Sequence, residues 1–244
     1  MEKIKQVPLH GKIAIAVVGI LVVAGIGAAA LRTGSTQPES IFGVRSVPSL
    51  TRPVAYSRDL PPEAKTNLNT LITDLRRELK ENAALYDQWL TLAIRYKQAG
   101  DFAKAREVWE YLLSIHPDDV VSRHNLGDLY HHFLKDYPKA EVYYTQALDL
   151  APTNSLDYLA LHELYRYSLK TNTSAAVDIL KTGIERTTEN QPIDLYIALA
   201  NYYADKGDKK EARSAYGQAR DLAQRVGNTS LVAKLNESIA ALDR

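Results

Sequence analysis

The sequence predicts an all-α protein in which an array of helix–turn–helix repeats follows an N-terminal transmembrane helix. A pattern of large and small residues recurs about every 34 residues from residue 86 onward, which is typical of stacked helical pairs. Residues 13–31 form an unbroken apolar run between Lys12 and Arg32. The chain is 45% hydrophobic and 24% charged, a balance typical of folded proteins.

Residues 1–12 are predicted to be a short cytoplasmic tail and residues 13–31 a single transmembrane helix. A helix of this length spans roughly 28 Å, close to the hydrocarbon thickness of a bilayer. Lys3, Lys5 and Lys12 precede the run, so we expect the N-terminus to be cytoplasmic and the repeat domain extracytoplasmic. The alanines at 28–30 leave open a cleaved signal and a secreted protein, although the apolar run is longer than a usual signal core.

A flexible linker is predicted over residues 33–61, where four prolines interrupt any helical or strand periodicity. Residues 62–82 are predicted to form a leading amphipathic helix. Its apolar residues recur every three or four positions, at Leu68, Leu71, Ile72, Leu75 and Leu79.

Four helix–turn–helix units are predicted over residues 86–226, followed by a capping helix over 229–243 that covers the last apolar face. We number them unit 1 (86–119), unit 2 (120–154), unit 3 (155–190) and unit 4 (from 193). The pattern is clearest in unit 1, at Trp89, Leu92, Ala93, Tyr96, Gly100, Ala105, Trp109 and Pro117. It returns in unit 2 at Leu126, Gly127, Tyr130, Ala140, Tyr144, Ala147 and Pro152, and in unit 4 at Leu199, Tyr203, Gly207, Ala212, Tyr216 and Ala219.

This spacing closely resembles the tetratricopeptide repeat (TPR). The resemblance implies a right-handed superhelical array whose first helices line a concave groove. Unit 2 departs from the pattern by one extra residue around 134–137. Unit 3 departs further, with His162 where a small residue is usual and Gly183 where alanine is usual.

The resemblance also implies which side chains line the groove and therefore contact a protein partner. These are Leu90, Ile94, Gln98, His124, Asn125, Asp128, His131, Leu159, Glu163, Arg166, Tyr167, Ile197, Asn201 and Asp205. Apolar and acidic side chains are mixed in this set, which favours a basic or amphipathic peptide or helix as the ligand.

The predicted function is that of a membrane-anchored scaffold in an envelope or surface assembly. It is not expected to be an enzyme. A self-assembling oligomer, in which the groove or the membrane span contacts another copy, is an alternative. With 30 Lys and Arg against 29 Asp and Glu, the chain has no broad basic surface, so nucleic-acid binding is not expected.

The sequence also argues against catalysis and against a bound cofactor or metal ion. There are no cysteines, and the usual phosphate-binding, zinc-protease and nucleophile-elbow motifs are absent. One alternative remains, a metal-dependent enzyme that uses the stripe of His124, Asp128 and His131. The two histidines lie two helical turns apart, about 10.5 Å along the axis, which is too far for one ion to contact both.

Overall fold

In a computed structural model, residues 45–57, 59–169, 173–187 and 192–243 are described. The predicted tail, the predicted transmembrane helix and most of the predicted linker lie outside these ranges. Among the described residues, none of the helices combines the length and hydropathy needed to span a bilayer. The described ranges contain α-helices and no β-strand, which confirms the all-α prediction for this part of the chain.

Ten α-helices follow one another in the described ranges. They are α1 (Pro62–Glu81), α2 (Tyr86–Ala99), α3 (Phe102–Ile115), α4 (Val120–Asp128), α5 (Tyr137–Leu150), α6 (Ser155–Glu163), α7 (Thr173–Arg186), α8 (Ile193–Lys206), α9 (Lys209–Arg225) and α10 (Thr229–Ala241). Each unit consists of two adjacent helices, from α2–α3 in unit 1 to α8–α9 in unit 4, and α1 packs on α2 while α10 packs on α9.

Short turns join the two helices of units 1 and 4. Gly100 and Gly207 end α2 and α8 in the left-handed region, with φ of 85° and 80°, where glycine has no steric penalty. The carboxylate of Asp101 then accepts a hydrogen bond from the Lys104 backbone N–H and caps α3. In unit 1 the Gly-Asp pair therefore ends one helix and caps the next, whereas Asp208 in unit 4 forms no side-chain cap.

The extra residue of unit 2 is accommodated by a π-helical turn. This turn, Leu129–Leu134, continues α4 and ends at Lys135, which has φ of 57°. The Asp136 N–H bonds to the carbonyl of Tyr130, so the chain closes a wider loop than an α-helix would. A second π-helical turn, Leu164–Leu169, continues α6 in unit 3.

Large and small residues alternate where the two helices of a unit meet. In unit 2, Gly127 faces the ring of Tyr144, and a Cβ at Gly127 would lie 2.6 Å from that ring. Unit 3 has the larger His162 at the position equivalent to Gly127, and the smaller Leu180 at the position equivalent to Tyr144. His162 and Leu180 are both buried, so the departure of unit 3 from the pattern preserves a filled core.

The described end of the predicted linker is not a free tether. The 45–57 segment has no regular secondary structure, but it lies along α3 in the opposite direction to the helix. Arg45 pairs with Glu110 at 3.0 Å near the end of α3, and the Ala55 N–H donates to Asp101 Oδ2 at 2.9 Å near its start. The prolines disfavour a helix in the 45–57 segment but do not prevent it from packing on α3, because one of its polar side chains and one of its backbone N–H groups bond to that helix.

Candidate functional site

The first helices of successive units lie side by side and form one surface, which we call the inner face (α2, α4, α6 and α8). Polar side chains join neighbouring helices across it. Lys97 on α2 pairs with Asp128 on α4, and Arg166, in the turn after α6, pairs with Asp205 on α8. These pairs link units that are about 30 to 40 residues apart in the chain.

Between units 2 and 3 the link is a histidine–carboxylate contact. His124 Nδ1 lies 2.7 Å from Asp157 Oδ1, and the Asn154 side-chain amide donates to Asp157 Oδ2 at 2.7 Å. Asp157 is 0% exposed, so both of its oxygens are satisfied inside the protein. His124 therefore holds two units together, although part of its ring remains exposed on the inner face.

His131 does not line the groove as predicted, because it is only 2% exposed. Its Nε2 lies 2.9 Å from the Ser168 hydroxyl, and its ring stacks on His132 with centroids 4.0 Å apart. The pKa of His131 is lowered to about 4, mainly by burial and also by the neighbouring His132 and Lys135, while Asp128 acts in the opposite direction. The π-helical turn contains His131, so the α-helical register that places it on the predicted stripe does not continue this far.

The stripe of His124, Asp128 and His131 does not converge on one point. Asp128 pairs with Lys97, while His124 and His131 contact Asp157 and Ser168. In the described part of the chain, no cluster of three or more histidines and carboxylates could hold a metal ion. The hypothesis of a metal-dependent enzyme therefore has no ligand set among these residues.

Six of the predicted groove residues come together in a cleft of about 450 Å³ on units 3 and 4. The predicted residues that line it are Leu159, Glu163, Arg166, Tyr167, Asn201 and Asp205. Four further residues line it that the sequence analysis did not include, namely His162, Ala198, Ala204 and Tyr216. Tyr216 comes from the second helix of unit 4, so a prediction limited to first helices could not find it.

Apart from the buried His131, the other predicted residues lie along the inner face outside this cleft. Ile94 and Gln98 are exposed on α2, whereas Leu90 and Ile197 are half-buried against the core. Asn125 is half-buried, and its side-chain amide donates to the carbonyl of Val121 at 2.9 Å.

Two exposed apolar residues of the inner face were also missed. Val121 precedes His124 by three positions and Leu156 precedes Leu159 by three, so each shares a helical face with a predicted residue. The i, i+3 spacing was the signal that could have found them.

Comparisons with known proteins agree with this architecture. A family model described as "Tetratricopeptide repeat" matches residues 121–154 and 193–225, which correspond to units 2 and 4. The human Superkiller complex protein 3 is 30% identical over 135 residues, which is 53% of this chain. This chain spans 8% of that protein's length.

A solved structure titled "Crystal structure of MamA" is similar in fold. It superimposes with a TM-score of 0.52 and 16% sequence identity, covering 70% of this chain and 99% of that one. At this identity the similarity concerns the fold alone. The paired helices and the family-model match agree that residues 121–154 and 193–225 are tetratricopeptide repeats.

Proposed function

We propose that this protein is a non-catalytic scaffold, anchored in a membrane by residues 13–31, which binds a segment of a protein partner on its inner face. Tetratricopeptide repeats support a role in protein–protein interaction. Anchoring raises the local concentration of partners held near the membrane, so a modest affinity suffices.

The observation that carries the proposal is the chemistry of the inner face. Four of its apolar side chains are exposed, namely Ile94 at 38%, Tyr167 at 55%, Val121 and Leu156. Several of its charges, by contrast, are already paired within the array, as in the contact of Lys97 with Asp128. A surface of this kind gains by covering apolar area, as an amphipathic segment does.

Site-specific photo-crosslinking in the full chain, in native membranes, tests this proposal. A photoreactive residue is placed at Ile94 or at Tyr167, and the crosslinked peptide is identified by mass spectrometry. Val142 on α5 is the matched control, since it is apolar and 52% exposed but lies on a second helix. We expect both inner-face sites to crosslink one and the same partner segment, and I94E to reduce capture at position 167.

Equal crosslinking from Val142, or unrelated segments from the two inner-face sites, would contradict the proposal. Crosslinks to another copy of this chain would instead support the self-assembling alternative. The anchor is tested separately, because deletion of residues 1–32 should release the protein from washed membranes.

A further inference from the structure

The cleft on units 3 and 4 is too small for a whole helix. Its volume of about 450 Å³ lies within the range of small-ligand sites. Leu159, Ala198 and Ala204 contribute apolar wall, and Tyr167 contributes an exposed aromatic ring. Such a cleft accommodates one long side chain together with the backbone beside it.

The positive charge in the cleft is already compensated. The Arg166 guanidinium pairs with Asp205. It also lies over two aromatic rings, 4.8 Å from the centroid of Tyr167 and 5.3 Å from that of Tyr202. An incoming carboxylate would have to displace Asp205 from Arg166, so an acidic ligand is disfavoured.

The negative charge of Glu163 is not compensated. Glu163 is exposed in the cleft and forms no ion pair or hydrogen bond with any of the residues that the structure describes. Arg166 follows it by three positions, a spacing that often allows pairing on an α-helix. Here α6 ends at Glu163 and the π-helical turn begins at Leu164, so that alignment is lost and Arg166 pairs with α8 instead.

The side-chain amide of Asn201 lines the same cleft as this carboxylate. The Tyr216 hydroxyl donates to Asn201 Oδ1 at 2.5 Å, which orients the side-chain amide of Asn201. Because the Asn201 side-chain oxygen already accepts this hydrogen bond, its N–H groups can donate to a backbone carbonyl of a bound peptide. Carboxylate, amide and aromatic ring together match a cationic side chain and its neighbouring peptide group.

We propose that this cleft accepts a lysine or arginine side chain of the bound segment, with Glu163 as its counter-charge. This inference rests on the proposed binding of a partner segment to the inner face. It adds a requirement to that function, because the segment must present a basic residue at units 3 and 4 and apolar residues at units 1 and 2.

Selection from a random 12-residue peptide library, displayed on phage, tests the inference with the full-length protein. We expect the enriched peptides to share a lysine or arginine at one position. E163K should weaken a selected peptide by about fivefold or more, as expected for losing a partly exposed ion pair and adding repulsion. A peptide with glutamate in place of that basic residue should regain affinity for E163K.

E237K is the matched control, because Glu237 is exposed on α10 and the substitution changes the net charge equally. It should leave the affinity unchanged. Equal helical circular dichroism and melting temperature of the variants would establish that they are folded.

The outcomes separate the two proposals. Peptides that bind the inner face without a charge preference would overturn this inference and leave the scaffold function intact. Enrichment of acidic peptides whose binding is lost in R166Q would also overturn the inference of a site for a basic side chain and leave the scaffold function intact. If no enriched peptide crosslinks to Ile94 or Tyr167, the proposed function itself fails.

Discussion

Gly127 and Tyr144 show how closely a single position controls the packing inside a unit. Tyr144 is buried, and its ring occupies the space that a side chain at position 127 would need. Glycine destabilises a helix because it loses more conformational entropy on folding than other residues do. At position 127 this cost is offset by the close approach of Tyr144.

Replacing Gly127 with alanine should lower the free energy of unfolding by about 1–3 kcal/mol, because the added Cβ overlaps a ring that is packed on all sides. Gly217 on α9 is the matched control, since a Cβ there has nothing within 4 Å. G217A should raise the free energy of unfolding by about 0.5–1 kcal/mol through helix propensity alone. Urea denaturation of both variants measures the difference, and a stabilising G127A would refute the packing argument.

Both α3 and α5 begin with an aspartate N-cap, but the two aspartates differ in the other groups that they bond. Asp101 caps α3, and Asp136 caps α5 through the Lys139 N–H. Each carboxylate also pairs with the lysine of its own first turn. Asp101 alone also accepts the Ala55 N–H, so it fastens the 45–57 segment to the array.

D101A should therefore destabilise the protein by about 1 kcal/mol more than D136A does. Each variant loses one helix cap, worth about 1 kcal/mol. D101A additionally leaves the Ala55 N–H and the buried Lys104 without their acceptor. Amide hydrogen exchange should accelerate at Ala55 in D101A and stay unchanged there in D136A. Unchanged exchange at Ala55 in both variants would mean that the segment is held by other contacts.

At the scale of the array, two histidines contribute to the junction between units 2 and 3. His124 contacts Asp157 on its first-turn side, and His131 contacts Ser168 near the far end of the same helices. Stability of a repeat array depends on such contacts between neighbouring units. A buried neutral histidine makes that contact sensitive to acid.

Lowering the pH from about 6.5 to about 4 should reduce the free energy of unfolding through His131. Its pKa is about 4 in the folded protein and near 6.5 when unfolded, so the unfolded chain binds the proton more readily. The contribution of His131 to the free energy of unfolding is fully present above pH 6.5. Its complete loss at low pH lowers that free energy by about 3 kcal/mol. Asp128 faces His131 with the opposite charge and reduces the effect, whereas His132 and Lys135 increase it.

H131Q should flatten this dependence in urea denaturation measured across the pH range. H116Q serves as the control, because His116 is exposed in the connection between units 1 and 2. His162 also has a pKa lowered by burial, so some slope should remain in H131Q. An identical slope in wild type and H131Q would place the pH sensitivity elsewhere.

The candidate site could be predicted only in part. Ile94 lies exposed on the inner face, where the periodicity of α2 places it, and Tyr167 is exposed there although it lies in a π-helical turn. The prediction that His131 lines the groove was wrong, because the π-helical turn at Leu129–Leu134 changes the helical register. The charges of Asp128 and Asp205 were expected to face a ligand, but Lys97 and Arg166 from adjacent units pair with them.

Helical pairs, their order and their stacking were readable from the amino acids alone, because apolar periodicity and turn residues act over a few neighbouring positions. The partners of the polar side chains were decided only when the units packed. That choice depends on the offset between helices distant in the chain and on where α6 gives way to its π-helical turn. Glu163 is the clearest case, because its sequence neighbour Arg166 pairs with α8 and leaves a carboxylate in the cleft.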